Sequence, residues 1–172
     1  MHNAESERGA IVLPDGQGEI VDEDVRKVLS IKAEGPLRSM VWDTIWNLKP
    51  SLEDHFNVQL RGSEPPVFLR YGRGAFYRPH KDCDPKSPAC TRNRRVSVVI
   101  FLNRWSNDPA KDAYGGGALT FYGLLDGPTW GNCPLPLLAE PGLLVAFRSD
   151  TLHEVCPVTF GQRFTIVTWF GI

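Results

Sequence analysis

From Val67 to the C-terminus the chain is a series of short runs rich in β-branched and aromatic residues, each bounded by Gly, Pro, Asn or Asp. The runs are Val67–Tyr71, Arg95–Leu102, Ala118–Tyr122, Leu143–Phe147 and Arg163–Gly171. The breaks between them carry Gly72-Arg73-Gly74, Asp84-Pro85, Gly115-Gly116-Gly117, Gly131-Asn132, Pro141-Gly142 and Gly161. Runs of this length are too short for helices with their own apolar stripe, and their residue types suit a pleated, half-buried surface. With 172 residues the chain has room for one domain and one sizeable core. Many short strands behind a helical lead-in predict a mainly β fold, a jelly roll with helices packed on one face.

The lead-in occupies residues 1–62, and 63–172 form the expected catalytic core of a single domain. Pro14, Gly16 and Gly18 break the first twenty residues. Asp22 is placed to cap a short helix carrying Val25, Val28 and Leu29, which Gly35-Pro36 would end. Val41, Ile45, Leu48 and Leu52 then form one helical stripe, widened by Trp42 and Trp46, with a restart at Pro50–Phe56. Three stretches read as loops: Cys83–Arg94, the polar Arg104–Tyr114, and the Gly- and Pro-rich Gly123–Ala139.

A formal charge of −1 gives no global field toward nucleic acid or an anionic membrane, so neither is an expected partner. No apolar run approaches the roughly 20 residues that span a bilayer, and the polar N-terminus lacks the apolar stretch of a secretory signal. Cys83, Cys90, Cys133 and Cys156 make no zinc-finger spacing and no evident disulfide framework. A reduced, cytoplasmic setting is the expectation; oligomeric state, and whether the chain is cut from a larger protein, stay open. Gly115-Gly116-Gly117 precedes a strand and no Gly-Lys-Ser/Thr, so a hairpin or bulge is expected there, not a phosphate cradle. Arg92, Arg94 and Arg95 read as a solvated loop end, Cys83 and Cys90 as free thiols, and Cys156 as buried.

The chemistry gathers around two of the four histidines. His2 lies in the lead-in and His55 beside Asp54 on the second helical stretch, which leaves His80 and His153. Asp82 follows His80 by two residues at a strand exit, so imidazole and carboxylate project from one face. Two neutral nitrogens and one carboxylate make the facial triad of non-haem iron(II) oxygenases, which leaves positions open for a co-substrate and dioxygen. Arg163 begins a strand whose alternation puts Arg163, Thr165, Val167 and Trp169 on one face. A guanidinium with a hydroxyl two residues on can grip a carboxylate; otherwise Arg163 must reach the rim or pair with Glu140 or Asp150. Tyr71 and Tyr77, on either side of Gly72 and Gly74, offer apolar bodies with polar tips to a pocket, or plain core packing.

Together YGRGAFYRPHKD, RRVSVVIFLN, GGGALTFY and HEVCPVTFGQRFTIVTWF resemble the prolyl 4-hydroxylase-like branch of the 2-oxoglutarate/Fe(II)-dependent oxygenases, over residues 67–172. The resemblance implies a double-stranded β-helix, a cupin-like jelly roll. It implies Fe(II) on His80, Asp82 and His153, 2-oxoglutarate on Arg163 with Tyr71 lining its pocket, and Tyr77 and Trp169 bordering the substrate. The implied activity is a dioxygenase that hydroxylates an unactivated C–H bond with succinate and CO2 as co-products, and with ascorbate as a candidate reductant. The implied substrate is a peptidyl residue such as proline. A free amino acid or other small molecule, and a catalytically silent jelly-roll binding module, are the other readings. Asp82 leaves no room for a halide, which disfavours a halogenase. The chain departs from some relatives at Phe101, where they carry a tyrosine hydroxyl, so Tyr71 or Thr165 must supply a second contact to the co-substrate.

Overall fold

The computed structural model describes residues 6–9, 11–12, 19–20, 22–33, 35–84, 89–125, 127 and 133–172. His2, the breakers Pro14, Gly16 and Gly18, Pro85 and the Gly131-Asn132 turn lie outside them. Strands β1 (Ser6–Arg8), β2 (Arg26–Lys27) and β3 (Leu29–Ile31) precede helices α1 (Gly35–Trp46) and α2 (Lys49–Phe56). Then come β4 (Val67–Tyr71), β5 (Phe76–His80), β6 (Arg94–Phe101), β7 (Ala113–Gly116), β8 (Leu119–Phe121) and β9 (Leu135–Leu137). The chain ends with β10 (Leu144–Arg148), β11 (His153–Val155), β12 (Val158–Phe160) and β13 (Arg163–Gly171).

The larger sheet runs β1-β3-β4-β13-β6-β10 and the smaller β9-β8-β11-β5-β2, with antiparallel pairing throughout both. β7 pairs antiparallel with β12 and parallel with Arg104–Trp105. The expected jelly roll, helices on one side, is what forms.

Alternation along the two central strands divides the core in two. On β6, Val96 and Val98 face the helices, where they pack with Ile45 of α1, Leu52 of α2, and Ile166 and Phe170 of β13. The intervening Val99 and Phe101 face the smaller sheet and pack with Leu69, Leu119, Phe121 and Phe147. Register ties the inner positions together, with Thr165 opposite Phe101, Val167 opposite Val99 and Trp169 opposite Ser97. A slip of one residue would exchange every core-facing and site-facing side chain on β13.

Two readings of the lead-in are corrected. Asp22 caps no helix: its Oδ1 accepts the Asp24 N–H and its carbonyl those of Val25 and Arg26, a single turn. The chain then enters β2 and β3, because two sheet edges are open to it: Arg26 lies opposite Tyr77 of β5 and Leu29 opposite Arg70 of β4. Tertiary pairing thus overrides a weak helical period. Gly35-Pro36 opens α1 rather than closing a helix, since proline in the first turn leaves no hydrogen bond unmade. Restart after Pro50 is as expected, and α2 stops at Asn57 in the left-handed region (φ 49). Arg104–Tyr114 is not all loop, since its two ends pair with each other. The glycine run is a bulge: register shifts between Gly115 and Gly116, and a Cβ on Gly116 (φ +64) would lie 2.3 Å from the Pro157 carbonyl oxygen.

Phe170 is fully buried between β6 and the helices, with the Trp46 ring stacked at 6.2 Å. Phe170→Ala is expected to destabilise the fold by about 3–5 kcal/mol, read as a lower denaturant midpoint with unchanged slope.

Candidate metal and co-substrate site

His80 closes β5 and His153 opens β11, and the two are direct partners across these antiparallel strands. Register alone brings the rings to 4.2 Å between centroids. Each imidazole is oriented in the same way: Nδ1 of His80 lies 2.8 Å from the Arg78 carbonyl oxygen, and Nδ1 of His153 lies 2.9 Å from that of Thr151. With Nδ1–H donating to a carbonyl, each Nε2 presents its lone pair to the space between the rings. Tyr77 stacks on His80 at 3.5 Å, and Phe147 meets His153 edge-on at 4.8 Å, so neither ring can swing away.

Asp82 completes the group. Its Oδ1 is 3.7 Å from His80 Nε2 and its Oδ2 is 3.7 Å from His153 Nε2. Ligand atoms of all three residues lie within 4.8 Å of one another, close enough for one ion to touch them all. Ser97 Oγ donates to Asp82 Oδ2 at 2.7 Å, and Ser149 Oγ lies 2.9 Å from Ser97 Oγ. The Cys83 N–H donates to the Ser149 carbonyl at 2.9 Å, tethering the chain just past the carboxylate. Burial pushes the Asp82 carboxyl up. The neighbouring His80 and His153 imidazoles and the Ser97 hydroxyl outweigh that and hold it below the usual carboxylate range. Burial, with the charge of His80, lowers the His153 imidazole against the opposing pull of Asp82. An ionised carboxylate and a neutral imidazole are the forms that bind metal.

Arg163, at the start of β13, is 1% exposed. Tyr71, its cross-strand partner, lays its ring 4.9 Å from the guanidinium, and the Phe101 ring lies at 5.1 Å. Nη1 reaches Thr165 Oγ1 at 3.4 Å, and Nε has no partner. Among the described residues no carboxylate pairs with it. Asp150 is taken by Arg148 at 3.1 Å, and Glu140 makes no bridge to Arg163. A buried cation without an anion is costly, and an incoming carboxylate offsets that cost.

One cavity joins these parts. It is lined by the triad, Arg163, Thr165, Tyr71, Tyr77 and Trp169. Every site residue expected from the sequence therefore meets at one place, while His55 meets Phe56 edge-on elsewhere. Two surface readings change. Arg94 is no solvated loop end: it forks onto Glu64 at 2.5 and 2.7 Å and covers the Trp169 ring at 3.8 Å. Cys156 is half-buried rather than buried, its thiol 3.4 Å from Thr120 Oγ1. Sequence reasoning missed Ser97, Tyr114 and Arg26, whose guanidinium lies over Tyr77 at 4.7 Å. Ser97 carried a signal, being the one hydroxyl in the apolar run Val96–Phe101; Tyr114 sat in a stretch read as polar loop.

A sequence model of the 2OG-Fe(II) oxygenase superfamily matches residues 66–171, which hold the triad and Arg163. The chain belongs to this superfamily. Among its relatives, a PKHD-type hydroxylase of Sphingopyxis alaskensis is 37% identical over 106 residues, covering 61% of this chain and 43% of that protein. Another from Methylobacterium nodulans is 33% identical over 108 residues, with 61% and 42% covered. The chain thus spans less than half the length of these curated relatives. A prolyl-4-hydroxylase structure from Pseudomonas putida superposes with a TM-score of 0.66 at 26% identity, covering 88% of this chain and 73% of that one. A Trichoplax adhaerens prolyl hydroxylase, solved with a hypoxia inducible factor peptide, shares the fold at TM-score 0.62 and 21% identity, covering 88% and 66%. Membership in the superfamily implies iron(II) and 2-oxoglutarate, and the donor set of this cavity fits both.

Because Ser97 holds one carboxylate oxygen of Asp82, Ser97→Ala is expected to weaken divalent-metal affinity about 10- to 100-fold. Metal titration with the melting profile in parallel checks this, the apo protein keeping its thermal midpoint within a few degrees.

Proposed function

We propose that the chain is an iron(II)- and 2-oxoglutarate-dependent dioxygenase that hydroxylates a peptidyl residue, proline being the leading candidate. The observation that carries this reading is the meeting, in one cavity, of an open two-histidine, one-carboxylate triad with a buried arginine that has no acid partner among the described residues. A binding module without turnover would need neither. Within one catalytic domain, residues 1–62 support the core formed by 63–172.

Iron(II), 2-oxoglutarate and dioxygen would together supply the oxidising power that replaces C–H by C–OH, with succinate and CO2 as co-products. The protein's part is positional. His80, Asp82 and His153 would hold the ion on one side and leave the opposite positions open. Arg163 and Thr165 would hold the acid end of 2-oxoglutarate, with Tyr71 as its side wall. Burial of Arg163 and the aromatic walls Phe121 and Phe147 behind His153 keep bulk water from the reacting atoms. Tyr77 and Trp169 would border the substrate. Burial pushes the Tyr77 phenol up to about 12, so it stays a neutral donor through the physiological range.

A peptidyl substrate is supported by the likeness to the P. putida prolyl-4-hydroxylase. A cytoplasmic setting is supported by the free thiols Cys83, Cys133 and Cys156. Ascorbate is proposed as the reductant that keeps the iron ferrous. No described helix is long and apolar enough to cross a membrane.

Anaerobic loading with iron(II), followed by 2-oxoglutarate consumption with proline peptides and with free amino acids, tests the proposal and separates the peptide from the small-molecule reading. His80→Ala is expected to abolish stoichiometric iron binding and turnover; iron bound and turned over normally by that variant would sink the assignment. Arg163→Ala, by contrast, should keep the metal while its 2-oxoglutarate affinity falls by about 100-fold, the scale of losing a charge-assisted fork. Titration of the metal-loaded variant reads that loss directly.

A further inference from the structure

A serine hydroxyl holds one proton and can donate one hydrogen bond at a time. Ser97 spends that proton on Asp82, donating to Oδ2 at 2.7 Å. Its 2.9 Å contact with Ser149 Oγ must therefore run the other way, with Ser149 donating into a lone pair of Ser97. The two hydroxyls form a chain with one direction, from Ser149 through Ser97 to the carboxylate. Ser149 is 1% exposed and Ser97 2%, so bulk water offers neither hydroxyl a replacement partner. Hydrogen bonds in such a chain polarise one another, which strengthens the one that ends on the carboxylate.

Ser149 is itself fixed through its backbone. It lies one residue past β10, whose register puts Phe147 opposite Ser97. Its N–H donates to the Arg95 carbonyl at 3.0 Å, and its carbonyl accepts the Cys83 N–H at 2.9 Å. The turn it sits in closes with the Thr151 N–H on the Arg148 carbonyl at 2.9 Å, and the Thr151 carbonyl is the one that orients His153. Ser97 is less constrained on its own, since the staggered rotamers of a serine point its hydroxyl in different directions. A proton arriving from Ser149 favours the rotamer that meets Asp82. Asp82 needs that restraint because it lies two residues beyond the end of β5.

We infer that Ser149 is a positioning residue of the metal site, its hydroxyl holding Ser97 in the orientation that clamps Asp82 Oδ2. One turn, 148–151, then orients two of the three proposed ligands, Asp82 through Ser97 and His153 through Thr151. This inference rests on the reading of His80, Asp82 and His153 as the metal ligands.

The test is a double-mutant cycle on the full chain, read by calorimetric titration with Mn(II) and by the melting profile of each metal-free protein. Ser149→Ala is expected to lower Mn(II) affinity about three- to tenfold, the scale of one neutral hydrogen bond. In the Ser97→Ala background the same change should cost nothing further, because the hydroxyl it acts through is gone. A wild-type affinity in Ser149→Ala would overturn the inference. So would a loss repeated in full on top of Ser97→Ala, which makes Ser149 a packing residue. A metal-free Ser149→Ala protein already unfolded at the titration temperature would overturn it too, since Ser149 would then hold the fold and not the site. Failure of the underlying reading shows separately, as a wild-type protein that binds Mn(II) no better than His80→Ala.

Discussion

The cross-strand pairing of His80 with His153 is the constraint on which the rest of the site depends. Neither histidine needs a specialised loop to find the other, because the antiparallel register of β5 and β11 delivers both rings to one spot. The two carbonyls at Arg78 and Thr151 then fix the tautomers by the same local hydrogen bond, two residues back in each case. What remains for the chain to arrange is the carboxylate. Asp82 lies just past the strand end, where the bend is tied to Ser149 through Cys83, and Ser97 from the larger sheet clamps one oxygen. The triad is thus assembled by both sheets: two ligands from the smaller one, and the restraint on the third from the larger.

Arg163 is the second fixed point, and its energetics differ in kind. The triad's one charge, on Asp82, is met by the Ser97 hydroxyl and faces the ring nitrogens of two imidazoles. Arg163 has no acid partner among the described residues, being enclosed by two rings and a threonine hydroxyl. Such an arrangement costs folding free energy and persists because the surrounding strands over-determine it. On the proposed reading that cost is recovered when the acid end of 2-oxoglutarate enters, and the same burden would favour an acidic co-substrate.

Much of this was legible in the sequence because it follows from period two. His80 and Asp82 share a face by spacing, Arg163 through Trp169 share one by alternation, and the structure keeps both. Strand limits were read to within a residue for β4, β6, β10 and β13, whose β-branched runs are bounded by strong turn residues. The failures also have physical causes. Val25, Val28 and Leu29 carry a helical period, yet the strands they join lie far ahead in sequence and are invisible to a local window. Tyr114 was missed for the same reason: its stretch is polar and broken, and only the pairing with β12 makes it a strand. Arg94 looked solvated because Glu64 and Trp169, which engage it, come from segments well before and well after it.

Strand β13 explains why the N-terminal helices matter to a site they do not touch. Its even-numbered Ile166 and Phe170 are gripped by Ile45 and Leu52, while its odd-numbered Arg163, Thr165, Val167 and Trp169 line the cavity. Loosening the helix-facing half would let the strand shift or twist, and every site-facing side chain on it would move with the backbone. Trp169 is held from the far side as well, by an Arg94 that Glu64 in turn fixes. Cavity walls of this kind are as rigid as the packing behind them. The two helices are therefore part of the site's mechanical support, even though the triad and Arg163 all lie in the residues beyond them.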